Sequence, residues 1–376
     1  MVDTTAQDKN RASGLFERMN EPLVSVVMVV CNVDRFLDEA IESILQQTFT
    51  EFEFIIVDYG STDSTKDIVE RYAGKDARVR MKAIPHCGLG EARNAACSLA
   101  RGRYIGMMDA DDVSLPDRLR LEVDFMEKYP KVGLLGSAAQ WINAAGCPLY
   151  VGRFPTSDAE LRKAQAIQCS FWQPTVLVRR EAFLRAGGYR DAFAPAEDYD
   201  LWLRITEHYE CANLQEVLLN YRMHPHQVSL RKRKQQTLGI LAAQRSAAMR
   251  QAGETDFFDS VHVVTPEALT KLGVTESTQE RAFMHDSRCW IRHMTMAGET
   301  STALQSAIDL IRLNWTHVDQ WQIADLHLVV AGFRWRRREF SKSIASALIA
   351  VRIRPKVLGR PIRPWLRYMG LIHATE

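Results

Sequence analysis

The chain has 376 residues, 46% of them hydrophobic and 25% charged, with a formal net charge of +2. That length and balance exclude a small stapled scaffold and a disordered chain, and suit two domains or one large domain with an extension. The seven cysteines, at 31, 87, 97, 147, 169, 211 and 289, contain no C-x-x-C pair, so neither a disulfide framework nor a zinc site is expected and they read as buried, reduced thiols.

Nowhere do apolar residues approach the run of roughly 20 needed to span a bilayer, and the polar first 21 residues hold no apolar signal segment. A cytoplasmic protein is expected. Charge is uneven along the chain: residues 331–376 carry eleven Arg or Lys against two acids. Such a tail suits an anionic surface.

Taken in order, LVSVVMVV (23–30) is a continuous β-branched run, the pattern of a strand covered on both faces. Helical spacing of Phe36, Leu37, Ala40, Ile41, Ile44 and Leu45 follows, with Asp34 as its expected cap. FEFIIVD (52–58) predicts a strand. DSTKDIVERYA predicts a helix, with Ser64 and Asp67 at capping-box spacing. A strand at 79–84, a helix in GEARNAACSLA and a strand at 103–109 continue the alternation. Ser114, Pro116 and Asp117 are expected to open a helix running to Tyr129, with proline in its first turn. VGLLGSAA (132–139) reads as another strand. This alternation predicts an α/β fold with a doubly wound, mostly parallel sheet flanked by helices.

Beyond Tyr221 no strand alternation persists. LGILAAQRSAAMRQA, ALQSAIDLIRLN and REFSKSIASALIAVRI predict an α-helical C-terminal region whose segments resemble tetratricopeptide-like hairpins. The expected domains are 22–230, an α/β unit, and 231–376, a helical unit with a basic tail, separated by the charge run SLRKRKQQ.

In a doubly wound sheet ligands bind beyond the carboxyl ends of the strands, and the chemistry-bearing residues gather there: Cys31-Asn32, Asp58-Tyr59-Gly60-Ser61 and Asp109-Ala110-Asp111-Asp112. Three acids in four residues repel one another unless a cation or water intervenes. One reading makes them a solvated helix cap; the other makes Asp111 a ligand for Mg²⁺ or Mn²⁺, hard cations that favour oxygen. A second acidic group, Glu197, Asp198 and Asp200, opens a helix beside Leu201 and Trp202. It is either a helix N-terminus favoured by the dipole or a half-buried carboxylate able to take a proton. GLGEARNAA could offer backbone N–H groups near Gly88 and the Arg93 guanidinium to a phosphate. His224, in YRMHPHQVS, is a loop histidine or a metal ligand.

The ordered blocks VSVVMVVCN, ESILQQTFTEFEFIIVDYGSTDST, GLGEARNAA, GRYIGMMDADDVSLPDRL, QPTVLVRREAFLRAGGYR, AEDYDLWLRI and YRMHPHQVS resemble those of the family 2 inverting nucleotide-sugar glycosyltransferases. The resemblance covers about 22–230 and implies a GT-A type fold. It implies transfer of a sugar from a nucleoside-diphosphate donor to a hydroxyl of a glycan or lipid-linked acceptor, as in bacterial surface polysaccharide assembly. It further implies Asp198 as the catalytic base with Glu197 orienting the acceptor or the base. Asp111, Asp109 and His224 would surround Mg²⁺ or Mn²⁺, and Asn32, Asp58, Tyr59, Gly88, Arg93, Asp109 and Trp202 would lie about the nucleotide sugar. Three positions depart from the family: Tyr59 where a second acid is common, Cys31 where an aromatic is usual, and Gln173 where histidine is frequent. Uridine or thymidine is expected before guanosine.

A nucleotidyltransferase is the alternative from similar chemistry, but VVCNVDRFL lacks its glycine-rich, basic loop. An inactive glycan-binding scaffold would lack Asp111 or Asp198, and an NAD-dependent oxidoreductase would carry G-x-G-x-x-G after the first strand. For the basic tail, Phe333, Trp335, Trp365 and Tyr368 interleaved with arginine suggest peripheral contact with an anionic membrane. A solvated arginine face is the plainer reading. Nucleic acid is not expected, for want of a recognition motif. The helical region is also a candidate surface for homo-oligomer formation.

Overall fold

The computed structural model describes residues 21–355. The polar stretch before Glu21 and the tail residues Lys356, Arg360, Arg363, Trp365, Arg367 and Tyr368 therefore lie outside the described residues.

A nine-stranded sheet organises the N-terminal part, from β1 (Val24–Val30), β2 (Phe52–Asp58), β3 (Val79–Ala83), β4 (Tyr104–Met107), β5 (Val113–Ser114), β6 (Val132–Asn143), β7 (Pro148–Gly152), β8 (Leu177–Arg179) and β9 (Glu210–Met223). Its order is β3-β2-β1-β4-β8-β6-β9-β5, with β7 on β6. Strands β3, β2, β1 and β4 pair in parallel and β8 pairs antiparallel with both β4 and β6. This is the α/β architecture expected, a mixed sheet with helices on its faces.

The continuous apolar runs are explained by burial on both faces. Val24, Val26, Met28 and Val30 enter one core with Leu37, Ile41 and Ile44, while Val27 enters the opposite core with Ile55, Val57 and Ile105. Full burial of each such side chain stabilises the fold by roughly 1.5–3 kcal/mol. Register then fixes the site. Val30 lies opposite Asp58, and Val27 opposite Met107, so three strand ends deliver their following residues to the same edge.

Several helix starts differ from the expectation. Asp34 is the first residue of its helix (Asp34–Leu45) and accepts from the Ser64 hydroxyl at 2.7 Å. The expected capping box does not form: Ser64 makes no side-chain cap bond, and Asp63 instead accepts from the Thr65 N–H at 3.0 Å. The helix expected to open at Ser114, Pro116 and Asp117 begins at Arg118 and ends at Lys128, leaving Pro116 before it. Val113–Ser114 pairs with Asn220 and Leu219 of β9, and that pairing displaces the helix start.

The chain divides into two compact units. The first comprises residues up to Trp141 with Tyr150–Arg222 and Arg250–Glu254; the second comprises Ile142–Leu149, Met223–Met249 and the residues from Thr255. In the second, helices Glu276–Met296, Thr300–Arg312, Gln320–Arg336 and Phe340–Ile353 each pack on the next. Thr265 and Thr275 cap helices there through their side chains, supplying acceptors for otherwise unpaired N–H groups. Phe333 is buried within this packing, so it leaves the aromatic set expected to meet a membrane; Trp335 is exposed. No described helix is long and apolar enough to cross a membrane.

Candidate active site

The first two strand ends are tied together by Asn32. Its backbone is left-handed at φ 55, a conformation Asn tolerates better than most residues. From there its side-chain oxygen accepts from the N–H of Thr62 at 2.8 Å and of Asp63 at 3.3 Å. Its own N–H donates to the Ser61 hydroxyl at 3.1 Å. Asn32 was expected beside the nucleotide; its carbonyl oxygen is committed to the loop, and its part is to shape that loop. Asp58 is buried and accepts from Ser61 N–H at 2.9 Å. Tyr59 stacks on His86 with ring centroids 5.9 Å apart, and burial pushes its hydroxyl pKa up to about 12. It stays a neutral donor with a flat face.

At the end of β4 the three acids have different surroundings. Asp112 is buried; one oxygen accepts from the Arg222 N–H at 2.7 Å while the other has no hydrogen-bond partner among the described residues. Burial, then Asp111 and Asp109, raise its pKa well above the ordinary range. Arg222 also donates to the Asp111 carbonyl at 2.8 Å and pairs with Glu39 at 2.6 Å. One arginine at the end of β9 thus holds the whole turn. From the other side Arg118, fully buried, donates to the Met107 carbonyl at 2.9 Å and pairs with Glu122. Asp109 remains partly accessible; burial first, and the nearby Asp111 charge, push its pKa up to about 6 against the opposing pull of Arg93.

Arg93, on helix Leu89–Ser98, stands between the two acidic groups. Its guanidinium pairs with Asp109 at 3.3 Å and, through the other terminal nitrogen, with Glu197. Against its own burial, which would lower it, the attraction of Glu197 and then Asp109 raises its pKa further. The expected phosphate role for this segment changes accordingly. Gly88 and Gly90 are needed because Asp191 packs on them: a Cβ at Gly88 would lie 2.1 Å from the Asp191 carboxylate. That carboxylate accepts from Gly90 N–H at 2.8 Å, so this N–H is taken. Asn94 adds a reciprocal pair, donating to Tyr189 O and accepting from Tyr189 N–H, both at 2.8 Å. Helix 89–98 therefore braces the segment carrying the second acidic group.

That segment begins with the Gly187-Gly188 turn, both residues left-handed at φ 80 and 73. Asp200, fully buried, pairs with Arg190 and Arg204, and Arg204 donates to Gly188 O at 2.7 Å. These three fix the turn against helix Glu197–Thr206. Trp202, expected at the donor, is completely buried against Tyr189. It offers no surface to a ligand and supports the helix from beneath. The E-D pair heads this helix. Glu197 is buried, with one oxygen on Arg93 and the other without a hydrogen-bond partner among the described residues. Asp198 accepts from Tyr199 N–H at 2.7 Å, and burial, reinforced by Glu197, pushes its pKa up to about 7. A carboxylate poised there can accept a proton near neutrality. Gln173, where histidine is frequent in the family, donates to the Tyr189 hydroxyl at 2.8 Å, and its carbonyl oxygen is buried without a hydrogen-bond partner among the described residues.

Among the described residues no three His, Cys, Asp or Glu are grouped so as to hold a metal ion by themselves. His224 belongs to the second unit, where its ring nitrogen accepts from the His226 N–H at 3.3 Å. Mg²⁺, however, characteristically binds through one or two carboxylates completed by substrate phosphates and water. Burial first, and then the charge of neighbouring carboxylates, Asp111 among them, raises the pKa values of Asp109 and Asp112, and a divalent cation relieves such crowding. The residues fit a hard cation.

The α/β sheet thus ends in an acidic cluster that one arginine joins to a helix headed by Glu-Asp. The glycosyl transferase family 2 model matches residues 25–145. An uncharacterized glycosyltransferase of Methanocaldococcus jannaschii is 34% identical over 58% of this chain and 77% of its own length. The O-antigen biosynthesis glycosyltransferase WbnJ of Escherichia coli is 35% identical over 54% of this chain and 80% of its own. A crystal structure of S. aureus TarS 1-349 in complex with UDP-GlcNAc superposes with a TM-score of 0.51 at 16% identity, covering 87% of this chain and 90% of that one, and so shares the fold. The chain belongs to glycosyltransferase family 2, whose enzymes transfer sugar from a nucleotide donor with inversion.

Proposed function

We propose that the chain is a metal-dependent inverting transferase. It moves a sugar from a nucleoside-diphosphate donor to a hydroxyl of a glycan or lipid-linked acceptor in bacterial surface polysaccharide or glycoconjugate assembly. The reaction is assigned to residues 22–230, with 231–376 as a separate helical domain. The observation that carries this reading is the Arg93 guanidinium between Asp109 and Glu197, which puts the donor-side acids and the Glu-Asp pair about one centre. The pathway rests on relatives: besides WbnJ, the amylovoran biosynthesis glycosyltransferase AmsE of Erwinia amylovora is 30% identical over 74% of its length.

Asp111 and Asp109 are the residues that would hold Mg²⁺ or Mn²⁺. Bound there, the cation supplies positive charge for the diphosphate as it leaves. Asp198 receives the proton of the acceptor hydroxyl while that oxygen bonds to the anomeric carbon and the bond to the diphosphate breaks on the opposite face. Such a base contributes ~10²–10⁴-fold. Glu197, pinned by Arg93, fixes the head of the helix and thereby the direction of Asp198. Tyr59, neutral and flat, is assigned to the nucleobase by stacking, which does not itself select the base; uridine or thymidine before guanosine rests on the habit of the family.

A thermal-shift panel of nucleotide sugars with and without Mn²⁺ tests this. A donor at one hundred times its Kd stabilises the fold by ~2.7 kcal/mol. The proposal expects a pyrimidine-nucleotide sugar to raise Tm only when Mn²⁺ or Mg²⁺ is present, and Asp111→Asn to abolish that dependence. A panel in which no nucleotide sugar stabilises the protein, with or without metal, contradicts it.

A further inference from the structure

The last described helix, Phe340–Ile353, is built inside out. Its inward face consists of small residues: Ser343, Ser346 and Ala350 are buried, spaced to lie on one side of a helix. Ser343 donates to the Ala331 carbonyl at 2.8 Å, and Arg334 donates to the Ser346 hydroxyl at 2.8 Å, so this side packs closely on helix 320–336 through small residues and hydrogen bonds. The large apolar residues point away. Phe340, Ile344 and Leu348, at i, i+4 and i+8, are 47%, 54% and 64% exposed, and Ile349 and Trp335 are exposed beside them. Trp335 stacks edge-on against Phe340 with centroids 4.8 Å apart, which joins the end of one helix to the start of the next in one apolar strip.

The margin of the strip is cationic. Arg336, Arg337, Arg338, Lys342, Arg352 and Arg354 are all exposed, and the nearest acid, Glu339, is shared between Arg337 at 3.7 Å and Lys342 at 3.4 Å. This charge selects the occupant. A second copy of the same face would set six cations against six. The rest of this chain's tail, with Lys356, Arg360, Arg363 and Arg367 against Glu376, would likewise add positive charge. An anionic lipid surface supplies both an apolar layer for the strip and negative headgroups for its margin.

We propose that helix Phe340–Ile353 is an interfacial docking face for an anionic phospholipid bilayer, lying in the headgroup plane with Phe340, Ile344 and Leu348 toward the acyl boundary. The argument is independent of the donor chemistry proposed above. Attachment through this face is interfacial and reversible, and salt weakens it by screening the cationic margin.

Flotation of the full chain with phosphatidylcholine vesicles, and with vesicles also containing phosphatidylglycerol, tests the proposal. The expected result is flotation with the anionic vesicles alone, reversed by high salt. Each cation near a charged leaflet is worth roughly five-fold in partitioning, so Arg337→Gln/Arg338→Gln/Lys342→Gln should reduce binding by roughly a hundred-fold. Ile344→Ser/Leu348→Ser should abolish flotation while thermal melting of the protein, whose substituted side chains are exposed, stays cooperative and near the parent Tm. Three results would overturn the proposal: no flotation of the parent chain, undiminished flotation of both variants, or a parent dimer in sedimentation that Ile344→Ser/Leu348→Ser converts to monomer without changing vesicle binding.

Discussion

Arg93 holds two carboxylates that would otherwise face each other across the site. Breaking a buried charge pair by removing one partner costs roughly 3–5 kcal/mol, so Arg93→Gln should lower Tm markedly. Arg93 also opposes the burial that raises the Asp198 pKa, so its loss should move the acid limb of the kcat/KM profile to higher pH. For the unaltered enzyme that limb should rise through about pH 7, the value to which burial brings Asp198, because the base works only when ionised. The stability consequence has the opposite sign. A carboxyl whose folded pKa lies above its unfolded value favours the folded state when protonated, and that advantage is lost as pH rises from about 4 to about 7. Asp198→Asn should therefore melt higher than the parent at pH 8 and alike at pH 4; equal Tm differences at both values would contradict the buried, proton-holding state of Asp198.

At the scale of elements, the strands were legible and their braces were not. β1, β2 and β4 announced themselves as apolar runs because both faces of each are buried, and the parallel order placed Asp58 and Asp109 at strand ends. The glycines of GLGEARNAA looked like a phosphate cradle because the partner that requires them, Asp191, lies 101 residues beyond Gly90 and no local spacing announces it. Trp202 is a similar case: an aromatic next to an acidic pair reads as a ligand contact until the core beneath it is seen. Asn94 lies within GLGEARNAA and Arg222 within YRMHPHQVS; nothing in the spacing of either block singles them out, yet each fixes one acidic group. Asn94→Ala would leave Tyr189 N–H and O without their side-chain partner, at roughly 1–3 kcal/mol for each buried group left unsatisfied. Its expected signature is a lowered kcat with donor affinity retained, since it holds the acceptor-side segment. Arg222→Gln should do the reverse, weakening metal-dependent donor binding by loosening residues 109–112 while leaving Tyr189 and the Glu-Asp pair in place. Donor titration calorimetry of both variants separates them; matching losses of affinity would show that the two braces are not distinct.

Across the whole molecule, periodicity identifies the helical C-terminal region but not which way its last described helix faces. Ser343, Ser346 and Ala350 turn inward because small residues let helices approach closely, whereas a hydropathy pattern assigns the inward side to Phe340, Ile344 and Leu348. The apolar strip belongs to one unit and the residues proposed for transfer, Asp109, Asp111 and Asp198, to the other, so their tests are separable: vesicle binding should survive Asp198→Asn, and transfer to a soluble acceptor should survive Ile344→Ser/Leu348→Ser. The division of labour within the first unit is the central claim, that Asp109 and Asp111 serve the donor and Asp198 serves the acceptor. Its most direct test measures transfer rate and donor affinity together in Asp198→Asn. The account predicts a loss of transfer of ~10²–10⁴-fold with donor affinity nearly unchanged; transfer at the parent rate would contradict it.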